Sequence, residues 1–170
     1  MSIDKSKKQN IDQPMSVSDN TQPYGAQSWL SEISHILGGI KVLRSKIETP
    51  LDLIEIARRG VSKSAFEHLR SYLNYSAKQM ADILPITERT IQRLGNNKSF
   101  SPEVSDHILQ IAEVSAKGAE VFIDKSKFIS WMNYPCVAFD SRTPASLLSS
   151  KFGVDMILDE LGRLEYGIYS

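Results

Sequence analysis

Cysteine is almost missing from this chain. Cys136 stands alone among 170 residues, so no intramolecular disulfide can form and the fold must rest on apolar burial. An excess of either charge is missing too. Twenty Lys and Arg face 20 Asp and Glu, for a formal net charge of zero. Any attraction to a polyanion therefore has to come from local clustering of cations. No apolar run is long enough to span a bilayer, and the opening Met1-Ser-Ile-Asp-Lys-Ser-Lys-Lys has no apolar signal core. The cytoplasm is the expected address, with no membrane partner.

Catalytic signatures are missing as well. His35, His68 and His107 fall on separate predicted helices, without metal-ligand spacing. His107 and Cys136 are the one conceivable nucleophile pair, and nothing local supports it. There is no Gly-rich phosphate loop and no convincing acid pair, so neither an enzyme nor a cofactor is expected. No segment alternates polar and apolar residues next to a hairpin turn, which leaves an all-α fold.

What the chain does contain is helical spacing of apolar residues, punctuated by caps. Residues 1–27 are rich in Ser, Asp, Asn, Gln and Pro, and are expected to be a disordered tail. From Ser28 the apolar residues Trp29, Leu30, Ile33, Ile36, Leu37, Ile40 and Leu43 recur at helical spacing, with Gly38-Gly39 set to kink or split the helix. Thr49-Pro50, Ser62, Ser76 with Gln79, Thr87, Ser101-Pro102 and Thr143-Pro144 all read as helix starts. Gly60 is expected to end one helix in a left-handed cap, and Gly118 to break or bend the long helix from Pro102. A final helix is expected from Val154 to Tyr166. These elements divide into a helical region over residues 28–115 and a C-terminal helical domain over residues 116–170.

Two stretches point to function. Tyr75 to Leu94 reads as a helix-turn-helix, the motif that sets a second helix into a DNA major groove. Ile86, Ile91 and Leu94 would pin that second helix inward. Thr87, Glu88, Arg89, Thr90, Gln92 and Arg93 would face outward, with Lys78 and Gln79 at the start of the preceding helix near the flanking backbone. Arg forks onto guanine and Gln pairs with adenine, whereas Thr hydroxyls suit phosphate. An ordinary helical hairpin with a solvated outer face carries the same pattern. Pro85 stands where many such turns place Gly, and it should push Leu84 off helical angles. Arg58, Arg59, Lys63, Arg70 and Lys98 join Lys78, Arg89 and Arg93 as a possible cationic ring, or are simply solvated helix positions. The second stretch is the C-terminus. Tyr166, Ile168 and Tyr169 crowd apolar mass beside the Ser170 carboxylate, as suits insertion into a partner's pocket; packing back onto the chain's own helices is the plainer alternative.

Further motifs bring a family into view: Thr87-Glu-Arg-Thr-Ile-Gln-Arg, Phe100-Ser-Pro-Glu-Val-Ser-Asp, Ala119-Glu-Val-Phe, Trp131, Thr143-Pro-Ala-Ser-Leu-Leu, Phe152-Gly-Val and Leu161-Gly-Arg-Leu-Glu-Tyr-Gly. In this order and spacing, from about Leu51 onward, the chain resembles the Xre/ParS (MbcA-type) antitoxins that pair with RES-domain toxins. The resemblance implies a helix-turn-helix domain followed by a small helical toxin-binding domain, so that residues 28–115 would dimerise and bind DNA and residues 116–170 would bind a toxin. It also implies homodimerisation, autorepression at operator DNA, and occlusion of a NAD-consuming toxin. It places Arg89, Thr90, Gln92 and Arg93 on the recognition helix. Leu161, Arg163, Leu164, Tyr166, Gly167, Ile168, Tyr169 and Ser170 are the expected toxin contacts, and we expect the Ser170 carboxylate to occupy an anion site meant for cofactor phosphate. Leu94 stands where relatives often carry a second Arg. Two other readings stay open: a stand-alone transcription regulator, and an inhibitor that does not touch DNA.

Overall fold

The computed structural model describes residues 26–167. Nearly all of the expected disordered tail, and the expected contacts Ile168, Tyr169 and Ser170, lie outside the described residues. Among those described, the chain is all-α: ten α-helices and no strand, with two isolated bridges, Ser62 to Ser99 and Cys136 to Arg142. The helices are α1 (Ala26–Ile36), α2 (Gly39–Leu43), α3 (Pro50–Arg59), α4 (Lys63–Leu73), α5 (Ala77–Ile83), α6 (Glu88–Arg93), α7 (Pro102–Phe122), α8 (Lys125–Met132), α9 (Pro144–Leu147) and α10 (Lys151–Glu165). None of them is long and apolar enough to cross a membrane.

The helix starts obey the local chemistry. Thr49 and Ser76 each close a capping box, with Asp52 and Gln79 respectively. Ser62, Thr87, Ser101, Thr143 and Ser150 each accept a backbone N–H from the first turn of their helix, which satisfies donors that otherwise have no intrahelical partner. Three hydrogen bonds converge on the Asp52 carboxylate, two from the Glu48 and Thr49 backbone amides and one from the Thr49 hydroxyl, and they hold its pKa below the ordinary value.

The pair Gly38-Gly39 does split the first helical stretch. Gly38 takes φ 92°, and the His68 ring lies so close that a Cβ there would come within 2.5 Å of its Cδ2. Gly60 also has positive φ, at 93°, but its ψ of 131° is extended and not left-handed helical. It turns the chain instead toward Val61, whose carbonyl accepts the Phe100 amide at 2.9 Å.

The long helix α7 is the spine. It packs against α1 and α3 on the N-terminal side and α8 and α10 on the C-terminal side, so the boundary expected at 115–116 falls inside it. Val104, Ile108, Ile111, Ala112, Val114 and Ala116 are all buried along it. The expected break at Gly118 does not occur. The helix runs unbroken to Phe122 because the Phe128 ring of α8 lies directly on Gly118, where a Cβ would fall 2.2 Å from a ring carbon. Phe128 is fully buried. Burying a side chain of that size contributes about 1.5–3 kcal/mol, more than the roughly 1 kcal/mol that glycine costs a helix interior. Phe122, Phe128 and Trp131 form an aromatic cluster on this side, with ring centroids 5.5–6.4 Å apart.

Candidate functional sites

The helix-turn-helix is built from α5 and α6. Helix α5 stops at Leu84, which is extended at φ −102° and ψ 151°, as Pro85 requires of the residue before it. The Ile86 amide then donates to the Leu84 carbonyl at 2.8 Å. Ile83 and Leu84 are buried under the turn. The turn is thus closed without glycine.

Helix α6 has one inner anchor, the buried Ile91, while Leu94 packs half-buried against the core. Arg89, Thr90, Gln92 and Arg93 are exposed, as are Lys78 and Gln79 at the head of α5. Five of the expected contact residues are partly committed to local hydrogen bonds. The Thr87 hydroxyl accepts the Thr90 amide at 3.2 Å and lies 3.0 Å from the Thr90 hydroxyl. Glu88 is half-buried and accepts the Gln92 side-chain amide at 2.9 Å. Gln79 lends its carbonyl oxygen to the Ser76 amide at 2.9 Å. The cationic atoms of Arg89 and Arg93 remain the most available hydrogen-bond donors on the surface of this short helix.

The wider cationic ring is not as expected. Lys63 is buried, at 7% exposure. Its Nζ donates to the Ile91 carbonyl at 2.7 Å and pairs with Glu67 at 2.8 Å. Arg70 also pairs with Glu67 and donates to the Tyr75 carbonyl, and Arg58 pairs with Glu55. Lys63 therefore holds α6 from its buried side and does not face outward. The sequence carried a signal for this in the i, i+4 spacing of Lys63 and Glu67 around the buried Phe66.

On the C-terminal side, α10 starts at Lys151, three residues before the expected Val154. Gly153, Val154, Ile157, Glu160 and Leu161 are buried. Leu161 is 0% exposed, a correction to its expected role: it belongs to this chain's own core and is closed to a partner. Leu164 is half-buried; Arg163, Tyr166 and Gly167 are exposed, with Arg163 Nε 3.1 Å from Glu160 Oε2. Two exposed apolar residues escaped the sequence reading, Phe152 at 83% and Met156 at 46%; with Tyr166 at 77% they give the outer side of α10 an apolar character. Their i, i+4 spacing becomes readable only once the helix is seen to start at Lys151. His107 Nε2 lies 2.6 Å from the Leu148 carbonyl oxygen, which ties α7 to the segment before α10. No group of three or more His, Cys, Asp or Glu among the described residues is placed to hold a metal ion.

The geometry defines an all-α protein with a bihelical motif at its centre and exposed apolar side chains on its terminal helix, an arrangement suited to binding. Comparison narrows the class. Residues 52–113 match the antitoxin Xre-like helix-turn-helix domain, and residues 117–167 match the antitoxin Xre/MbcA/ParS C-terminal toxin-binding domain. The chain belongs to the Xre/MbcA/ParS antitoxin family. It is 28% identical over 120 residues to Antitoxin Xre of Yersinia enterocolitica, covering 69% of this chain and 81% of that one. It is 24% identical over 132 residues to the Prs ADP-ribosylating antitoxin of a Sphingobium species, covering 72% and 83%. A chain in the crystal structure of the M. tuberculosis MbcT-MbcA toxin-antitoxin complex shares the fold, with a TM-score of 0.51 at 16% identity over 64% of this chain and 96% of that one.

Proposed function

We propose that this antitoxin neutralises a RES-domain, NAD-degrading toxin in the cytoplasm by seating the outer side of α10 and the residues after it over the toxin's active-site entrance. As a homodimer it also represses its own operon through α6. The observation that carries the first half is the exposure of Phe152, Met156 and Tyr166 within the segment matched to the toxin-binding domain. Exposed aromatic and Met side chains on a helix are the usual anchors of an interface. Phe152→Ala with Met156→Ala is expected to weaken the toxin complex by about a hundredfold, at roughly 1–2 kcal/mol per anchor, without lowering the melting temperature. Titration of the purified toxin and the NAD content of cells expressing both proteins measure it. Undiminished affinity removes this face from the interface. Deleting Tyr166 to Ser170 tests the tail separately.

The second half rests on the exposed donors of α6. Arg89→Ala with Arg93→Ala is expected to lower affinity for the promoter at least about tenfold, since a bidentate base contact contributes roughly 1–3 kcal/mol. Binding is best followed at several salt concentrations, because the zero net charge leaves little nonspecific background. If the parent protein does not bind its promoter, the chain is an inhibitor alone; if no RES toxin is encoded beside it, the stand-alone regulator is the better description.

A further inference from the structure

A second polar site lies beside the turn that follows α6. The C-terminal end of α2, the junction of α3 and α4, and the turn after α6 line a partly open cavity of about 340 Å³. Its walls carry three cations, Lys41, Arg44 and Arg59, and the polar side chains Ser62, Asn97 and Ser99, with no Asp or Glu among the lining residues. In a chain of zero net charge this is a strong local imbalance. None of the three cations takes part in an ion pair among the described residues. The Arg59 guanidinium is held in place by a hydrogen bond to the Leu43 carbonyl at 3.2 Å. Arg44 takes a left-handed backbone, φ 55° and ψ 24°, as it caps α2, a conformation uncommon for a residue with a side chain. The walls are stiff: the Lys63 amide bonds the Lys98 carbonyl at 2.8 Å, and Ser62 bridges Ser99.

Three unpaired cations around a walled, polar space repel one another, and a multivalent oxyanion relieves that repulsion. Guanidinium groups match phosphate oxygens in geometry as well as charge. The volume lies within the range of small-ligand sites. We propose that this cavity binds a phosphate group. Lys41 and Arg44 precede the residues matched to the helix-turn-helix domain, which begin at 52, so two of the three cations come from the segment before that domain and the third, Arg59, from within it. The phosphate has two possible sources: a free phosphate ester, or the DNA backbone beside α6. Only the second rests on the DNA-binding role proposed above.

The test uses the full-length chain and the variant Lys41→Gln/Arg44→Gln, both changes at exposed positions that leave the Arg59 bond intact. Inorganic phosphate and AMP are titrated at constant ionic strength, with chloride as the control, and the backbone amide resonances of Asn96 and Asn97 are followed. A saturable shift that the variant weakens about tenfold or more supports a free ligand. No shift, together with a promoter-binding salt slope that is shallower by about 2 in the variant, supports the DNA backbone. No saturable shift and an unaltered slope, or no promoter binding by the parent and no shift, overturns the proposal.

Discussion

Gly153→Ala is expected to cost about 3 kcal/mol of stability, near the upper end for overpacking, and to lower the melting temperature by roughly 6–12 °C for a chain of this size. A Cβ on Gly153 would fall 1.9 Å from the Leu147 carbonyl oxygen and 2.8 Å from its carbon. The obstacle is backbone, so no side chain can swing aside. Relief requires α9 and α10 to move apart, and between them Leu148 and Val154 are fully buried. The Ser150 hydroxyl that caps α10 accepts the Gly153 amide itself, at 3.1 Å, so displacement also strains the cap. Gly162→Ala is the control. That glycine sits in the same helix with nothing within 4 Å of its would-be Cβ, and there alanine should be neutral or stabilising by up to about 1 kcal/mol. Thermal unfolding of both variants, with toxin titration alongside, checks the pair. A Gly153→Ala protein that melts like the parent would mean that the contact with Leu147 is not tight.

Local chemistry made much of this fold readable beforehand. Each Ser or Thr cap and each cap followed by Pro describes its own surroundings within four residues, and every one of them opens a helix. The turn at Pro85 was readable for the same reason, because proline restricts its immediate predecessor. What escaped the sequence depended on distant partners. Gly118 reads as a helix breaker until Phe128 is known to lie on it. Lys63 reads as one solvated cation among eight until Ile91 supplies a carbonyl 28 positions away. Phe152 and Met156 look like core residues in a list of apolar positions. They become an outer face only when Ser150 is seen to start α10, which turns Val154, Ile157 and Leu161 inward. Leu161 was misplaced by the same ambiguity: family likeness assigned it to the partner, but helical phase puts it in the core.

Helix α6, proposed above to read DNA, has six residues, too few to persist on its own in water, so its geometry depends on what grips it. Ile91 grips it by packing and Lys63 by a charge-assisted hydrogen bond to the Ile91 carbonyl. Lys63→Met keeps the length and apolar body of the side chain and removes only the ammonium. That leaves a buried carbonyl without its donor and takes one of two cations from Glu67. Breaking a buried pair costs about 3–5 kcal/mol; Glu67 is a third exposed and keeps Arg70, so about 2–3 kcal/mol is expected. Burial pushes the Glu67 carboxyl pKa up, but the hydrogen bonds and charges of Lys63 and Arg70 outweigh it and hold the value below normal. A depressed carboxyl contributes stability above its unfolded pKa and loses it as pH falls through the folded value. The parent's margin over Lys63→Met should therefore narrow in acid. Promoter affinity should drop as well, although Lys63 is buried away from any groove, and hydrogen exchange in α6 should quicken ahead of exchange in α7. Denaturant midpoints at neutral and acid pH, with exchange measured on the same samples, decide the matter. Equal midpoints for parent and variant at neutral pH would show that Ile91 packing alone fixes the helix.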